Sequence, residues 1–239
     1  MQQILRPATF LRRYKRFFAD ARFPDGTEVT AHCPNTGTMK TLLDEGSPAW
    51  LRAANDPKRK LQESLVLLGV PGGVALVDTA LPNAIVAEGI EAGALPSLTG
   101  YDSLRREVKV GSSRIDLLLS DATDGGPDCY IEVKNVTMAS AHVPGRADFP
   151  DAVTERGRKH LGELGELVAA GHRAVQLFLL GRTDCASVGV ADEIDPKYGE
   201  TLRQVVEAGV EVVVAQLAID FLEDENVALT VRGECPVEV

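Results

Sequence analysis

Up to Leu81-Pro82 the chain is a succession of short β-type stretches; beyond that point helical and strand periodicities alternate. Phe10–Arg22 mixes aromatics with arginines and runs into the turn signal Pro24-Asp25-Gly26. In Thr27–Cys33, Val29 and Ala31 alternate with Glu28 and Thr30, the period of a half-buried strand. Ala49–Ala53, Gln62–Val70 and Val74–Thr79 complete the set, with Pro71-Gly72-Gly73 among the intervening turns. About five short strands in about 80 residues hide their edges best by closing on themselves, which predicts a small barrel. The OB type is expected, and an SH3-like barrel would show a similar pattern.

After Pro82-Asn83 the pattern predicts a short helix over Ala84–Ala92, ended by Gly93 and Pro96. Leu104–Val110, Arg114–Ser120 and Cys129–Val136 read as strands, the last two joined through Asp121–Asp128, a loop rich in Gly, Asp and Pro. A long helix is expected over Asp151–Ala170, with Val153, Gly157, Leu161, Leu164 and Val168 on its apolar face and Gly171 as its cap. Ala174–Leu180 is a continuous apolar strand of the fully buried kind. A helix at Lys197–Ala208, a strand at Val210–Leu217, the acidic Asp220–Glu225 and a last strand at Val227–Val231 follow. The order αβββαβ and then αβ predicts an α/β (α+β) unit with a mixed sheet. The expected division is residues 1–84 for the barrel and 85–239 for the second domain.

Composition sets limits on function. The 239 residues are 44% hydrophobic and 25% charged, as in an ordinary well-cored protein of one or two domains. Apolar runs such as Leu65–Leu68 and Val212–Ala215 fall far short of the roughly 20 residues of a membrane span. Met1–Phe18 has arginines throughout and no signal-peptide core, and Cys33, Cys129, Cys185 and Cys235 show no C-x-x-C spacing. A cytoplasmic protein with free thiols and no membrane partner is the expectation. Sequences diagnostic of a phosphate-binding loop, a dinucleotide fold or a serine-hydrolase elbow are absent.

The formal net charge of −10 argues against a protein that coats nucleic acid by bulk electrostatics. The charge is uneven, however. Residues 1–80 carry 11 Lys+Arg against 8 Asp+Glu, and residues 81–239 carry 14 against 27. Arg6, Arg12, Arg13, Lys15 and Arg16 form a basic run, suited either to gripping phosphates or to protecting a strand edge. Trp50, Phe10, Phe17, Phe18 and Phe23 would stack bases or fill the barrel core.

The sharpest chemical feature is Tyr130-Ile131-Glu132-Val133-Lys134-Asn135-Val136. Strand geometry puts Glu132 and Lys134 on one face, roughly 7 Å apart, with Ile131 and Val133 on the other. Asp116 interrupts the apolar stretch Arg114-Ile115-Asp116-Leu117-Leu118-Leu119, and a hairpin through Asp121–Asp128 would bring it to Glu132. Two carboxylates at one point suit Mg²⁺, and a neighbouring lysine would orient water and stabilise charge developing on phosphate.

Asp116…Glu132-x-Lys134 resembles the PD-(D/E)XK nuclease superfamily, with Ile115 where the literal proline would stand. Two longer stretches, His32-Cys33-Pro34-Asn35-Thr36-Gly37-Thr38-Met39 and Thr154-Glu155-Arg156-Gly157-Arg158-Lys159-His160-Leu161, are similar to signatures of the sugar fermentation stimulation protein A (SfsA) family. Val77-Asp78-Thr79, Leu81-Pro82-Asn83, Arg114-Ile115-Asp116 and Glu132-Val133-Lys134-Asn135-Val136-Thr137 are similar as well, so the resemblance spans about Phe10 to Leu180. It implies an N-terminal OB-like β-barrel, a PD-(D/E)XK nuclease-like domain, and a DNA-binding regulator linked to sugar (maltose) metabolism. It also implies a metal-and-catalysis triad at Asp116, Glu132 and Lys134, using Mg²⁺ or Mn²⁺, with Glu88 as a helix acid.

Other parts of these stretches have two readings. Arg156, Lys159 and His160 would reach phosphates beside the carboxylates, or form solvated helix charge with a Glu155–Lys159 pair. Asn35-Thr36-Gly37 suits a phosphate or a tight turn. The leading expectation is a DNA-binding protein with a metal-dependent nuclease centre. The alternatives are a non-enzymatic DNA-binding regulator and an RNA- or nucleotide-handling protein.

Overall fold

The short stretches of the first 80 residues close into a barrel. The computed structural model describes residues 1–111 and 113–238; Ser112 and Val239, both in the second expected domain, lie outside the described residues. The first seven strands are β1 (Gln2–Ile4), β2 (Arg6–Tyr14), β3 (Phe18–Arg22), β4 (Glu28–His32), β5 (Pro48–Ala53), β6 (Glu63–Val70) and β7 (Gly73–Leu76). Strands β4-β3-β2-β5-β6 run in that spatial order, and a parallel pairing of His32 with Ser64 joins β4 to β6. This is the closed five-stranded OB barrel, with β7 appended to its edge. The stretch read as one strand, Phe10–Arg22, is two, because Lys15 and Arg16 take positive φ values of 47° and 63° and turn the chain back. Phe10, Phe23, Leu51, Leu65 and Leu68 fill the barrel.

The second unit follows as α1 (Pro82–Glu91), β8 (Tyr101–Val110), β9 (Ser113–Ala122), β10 (Cys129–Val136), β11 (Met138–Ala139), β12 (Arg146–Phe149) and α2 (Glu155–Ala169). It continues with β13 (Arg173–Leu180), β14 (Ser187–Val190), α3 (Pro196–Glu207), β15 (Glu211–Phe221), β16 (Asn226–Glu234) and β17 (Val237–Glu238). The main sheet has the order β1-β16-β15-β13-β10-β9-β8. It is mixed, since β10, β13 and β15 are parallel neighbours and the other pairs are antiparallel. Alternation sends Ile131, Val133, Val175 and Leu177 toward α1, while Val136, Phe178 and Leu180 face α2 and α3. A small sheet, β11-β12-β14-β17, made of strands two to four residues long, had no signal in the sequence.

Three details depart from expectation. The first strand, β1, belongs to the second unit's sheet, pairing with β16. The boundary expected at residue 84 falls inside α1. And α2 starts at Glu155 instead of Asp151, because Thr154 caps it, its Oγ1 accepting the Gly157 N–H at 3.0 Å. Val153 therefore lies outside the helix, 68% exposed, and the buried face is Gly157, His160, Leu161, Leu164 and Leu167. Trp50 stacks on Phe221 of β15 at 4.7 Å, and Phe10 and Phe23 are barrel core; of the five aromatics weighed for base stacking, Phe17 alone is exposed. Among the described residues, no helix is long and apolar enough to cross a membrane, and all four cysteines are free.

Candidate active site

The β9–β10 ladder pairs Leu119 with Cys129, Leu118 with Tyr130 and Leu117 with Ile131. One step further the same register sets Asp116 opposite Glu132, and there a side chain replaces the ladder. Asp116 Oδ2 accepts the Val133 N–H at 2.8 Å, and Oδ1 accepts Asn83 Nδ2, from the first turn of α1, at 2.8 Å. A carboxylate wedged between diverging strands thus keeps a donor on each oxygen, as a half-buried charge requires.

Glu132 is 1% exposed. Its Oε1 is bound by Lys134 Nζ at 2.5 Å and by Nδ1 of His160, which reaches across from α2. Its Oε2 is buried without a hydrogen-bond partner among the described residues. Burial pushes Glu132 upward, but the His160 contact and the Lys134 charge outweigh it and hold the acid below the usual carboxylate range. Asp116 goes the other way: burial and the Glu132 charge raise it, against the opposing pull of the Val133 N–H, Lys134 and Asn83. Behind the pair, Gln176 of β13 donates to the Glu132 carbonyl at 3.1 Å. Tyr198 of α3 is wholly buried, and burial followed by the charges of Glu132 and Asp195 pushes its phenol strongly upward.

These groups open onto a cleft of about 430 Å³ whose wall includes Asn35 and Thr79 from the barrel side, with Asn83, Asp116, Lys134 and Arg156 from the sheet side. The barrel's contribution is a braced loop. Arg13 donates to the carbonyls of Asn35 (2.8 Å), Gly37 (3.0 Å) and Arg16 (3.1 Å), and Asn35 Oδ1 accepts the Gly37 N–H at 2.8 Å. Thr38 donates to Asp151 Oδ2 from its backbone N–H at 3.0 Å and its hydroxyl at 3.2 Å. A Cβ at Gly37 would lie 2.7 Å from that same oxygen, so a larger residue there would displace the Asp151 carboxylate from Thr38.

The structure brings together Asp116, Glu132, Lys134, Arg156 and, at the rim, Asn35. Lys159 and His160 line a second groove beside this cleft, sharing Arg156 with it, and the remaining expected site residues lie elsewhere. Glu88 pairs with the Met1 ammonium at 2.5 Å and does not line the cleft. At 100° per residue it lies roughly 140° around α1 from Asn83, which holds the position beside Asp116 instead. Arg12 is exposed and paired with Asp20 at 2.8 Å, and Lys15 and Arg16 occupy the exposed β2–β3 turn. Arg13 is committed to loop carbonyls, and Thr36 is exposed outside the cleft lining. His160 is buried against Glu132 and does not face solvent, with Nε2 lying 3.4 Å from Arg156 Nε. Lys159 pairs with Glu163 at 3.4 Å, not with Glu155.

Asn83, Gln176 and Tyr198 carried no assigned role from sequence. Asn83 had a signal, following Pro82 at a helix start; Gln176 sits in an apolar run and Tyr198 in the polar first turn of a helix, and neither carries one. Among the described residues no set of three or more His, Cys, Asp or Glu side chains converges on one point. A metal here would take two carboxylates and complete its shell with water and phosphate oxygens, a pattern that suits Mg²⁺ and its chemical relatives.

Comparison with known proteins follows the same two-part plan. Residues 11–77 match the family model of the SfsA N-terminal OB domain, and residues 80–223 match that of the sugar fermentation stimulation protein RE domain. The chain is similar to a sugar fermentation stimulation protein homolog of Rhodospirillum centenum, 51% identical over 215 residues, covering 89% of this chain and 90% of that protein. A homolog from Geobacter sulfurreducens is 48% identical over 225 residues, 94% of this chain and 93% of its own. Among solved structures, Pyrococcus furiosus SfsA in complex with Ca²⁺ superposes with a TM-score of 0.84 at 28% identity, covering 98% of this chain and 96% of that one.

Proposed function

Because this chain belongs to the sugar fermentation stimulation protein (SfsA) family, we propose that it binds DNA and carries a divalent-metal-dependent phosphodiesterase centre on Asp116, Glu132 and Lys134. The observation that carries this reading is Glu132 Oε2, a buried carboxylate oxygen with no hydrogen-bond partner among the described residues, opposite Asp116 across the opened ladder. Lys134 and His160 pair the Glu132 charge through Oε1, but a buried carboxylate oxygen left without a donor still costs about 1–3 kcal/mol, and a hard cation between the two carboxylates removes that cost. The Pyrococcus furiosus relative binds Ca²⁺, a cation of the same oxygen-seeking class as Mg²⁺ and Mn²⁺.

Held there, such a cation supplies Lewis acidity toward a phosphoryl oxygen and makes nucleophilic water available near neutral pH. The protein's own groups do the rest. Asn83 and the Val133 N–H fix Asp116, while His160 and Lys134 fix Glu132. Lys134 stands in the cleft, where its ammonium orients the attacking water and offsets charge developing on the phosphoryl group. Arg156, on the cleft wall, holds a non-reacting phosphate oxygen in place.

The test is a cleavage panel of single-stranded, duplex and branched DNA, with RNA, in Mg²⁺ or Mn²⁺, with Lys134→Ala run beside the wild type. Metal-dependent cutting that disappears in Lys134→Ala supports the centre. No cutting in any lane, with DNA still retarded on a gel, would leave a non-enzymatic DNA-binding regulator.

A further inference from the structure

Beside the carboxylate cleft a second groove of about 550 Å³ is lined by Lys109, Ser113, Arg114, Arg156, Lys159 and His160. Its position follows from the elements already described. Lys109, near the end of β8, and Arg114, near the start of β9, are direct partners in the antiparallel ladder. Arg114 precedes Asp116 by two residues, so strand alternation puts both on one face, roughly 7 Å apart along β9. Arg156 lines both the groove and the cleft, and His160, whose Nδ1 meets Glu132, stands between them.

The electrostatics of this groove run against the rest of the unit. Residues 81–239 carry 27 acidic side chains against 14 basic ones, yet four cations surround this one space. Lys109 and Arg114 are both exposed, and among the described residues neither takes part in a salt bridge. Like charges directly opposite in a ladder destabilise a sheet, so the pair works against the fold unless an anion lies over it. The basic run of the barrel has no such freedom in Arg12 and Arg13, which are occupied by Asp20 and by loop carbonyls.

We propose that this groove is the track for the sugar–phosphate backbone of DNA on one side of the reacting phosphodiester, with Lys109 and Arg114 as its contacts beyond the carboxylates. The identity of the polyanion rests on the functional reading above. The strand runs from the β8–β9 hairpin past Arg156 and Lys159 to Asp116 and Glu132. Its grip is made on phosphates that do not react, so it governs how long DNA is held and positioned.

The test is fluorescence anisotropy of the full-length protein with labelled single-stranded and duplex DNA across a salt series, in EDTA so that no cleavage intervenes. Lys109→Ala with Arg114→Ala should weaken binding about tenfold or more at low salt and reduce the log–log salt slope by about 1.8 on duplex and about 1.4 on single-stranded DNA, the share of two phosphate contacts. Arg12→Ala with Lys15→Ala and Arg16→Ala should leave both quantities near wild type. The hairpin variant should melt no lower than wild type, since it removes a like-charge pair, and the Gln/Gln version should repeat its binding loss. A wild type that binds no DNA, or a hairpin variant with unchanged affinity and slope, overturns the proposal. If the hairpin variant loses affinity while the wild type cuts nothing in Mg²⁺ or Mn²⁺, the groove stands and the phosphodiesterase reading falls; cutting with unchanged hairpin-variant binding does the reverse.

Discussion

Glu132 is held from two elements at once, by Lys134 two residues along its own strand and by His160 from α2. His160→Ala takes away one of the two donors and leaves a gap beneath the helix. It should cost about 3 kcal/mol in urea unfolding and weaken Mn²⁺ binding by about 10- to 100-fold in calorimetry. Lys134→Ala should behave differently: cleavage falls by about 100-fold or more, while Mn²⁺ affinity holds or rises, because a positive charge beside Glu132 has gone. Parallel losses of rate and affinity in Lys134→Ala would show that the lysine builds the site instead of acting in it. That Asp116, Glu132 and Lys134 come together was legible because strand alternation and the hairpin register are local rules that need no distant partner. His160 was misassigned although its spacing from Gly157, Leu161 and Leu164 puts it on the buried face. Its polar ring suggested solvent until Glu132, 28 residues earlier in the chain, supplied a partner. Glu88 failed for the converse reason, since helix register turns it toward the Met1 ammonium and gives the site Asn83.

At the scale of elements, one carboxylate ties the start of α3 to the start of α2, the helix that carries His160. Asp195 accepts the Tyr198 N–H at 3.1 Å and the Thr154 N–H at 2.9 Å, and it pairs with Arg158 at 2.7 Å. Burial alone would raise this acid, but the two N–H groups and Arg158 outweigh it and hold it below the ordinary carboxylate value. A depressed folded-state value means stability that is full above the unfolded value, about 3.9, and is lost as pH falls through the folded one. Asp195→Asn should therefore cost about 2 kcal/mol at pH 7 in urea unfolding, with the gap to wild type closing as pH falls below about 4. A gap that stays constant with pH would contradict this role. Helices and long strands were readable because their apolar periods repeat. The start of α2 shifted because Thr154, and not a residue near Asp151, supplies the cap; Asp151 is engaged instead by Thr38 of the barrel loop. The strands of the small sheet are too short to show any period.

At the scale of the molecule, the two units share one core. Val66, Leu67 and Leu76 from the barrel pack in the same cluster as Ile85, Val86 and Leu117 of the second unit, and Leu5 joins them. Strand β1 pairs with β16, and Trp50, the chain's single tryptophan, stacks on Phe221. The barrel cannot keep these apolar faces covered alone. Unfolding in urea should be one transition, with Trp50 fluorescence and far-ultraviolet circular dichroism superimposing. Two separated transitions would mean that the barrel folds independently. The change of pattern at Leu81-Pro82 made two units legible in the sequence, but not their union. The pairing of Gln2 with Ala228 joins the two ends of the chain, and three residues of strand carry no periodicity that could announce it.

The carboxylate pair as a divalent-cation site is tested most directly by calorimetric titration of Mn²⁺ into the wild type, Asp116→Asn and Glu132→Gln. The wild type should give a saturable binding heat that both variants lose while still unfolding cooperatively. A wild type that takes up no Mn²⁺, or an Asp116→Asn protein that binds it as well as the wild type, would contradict the assignment.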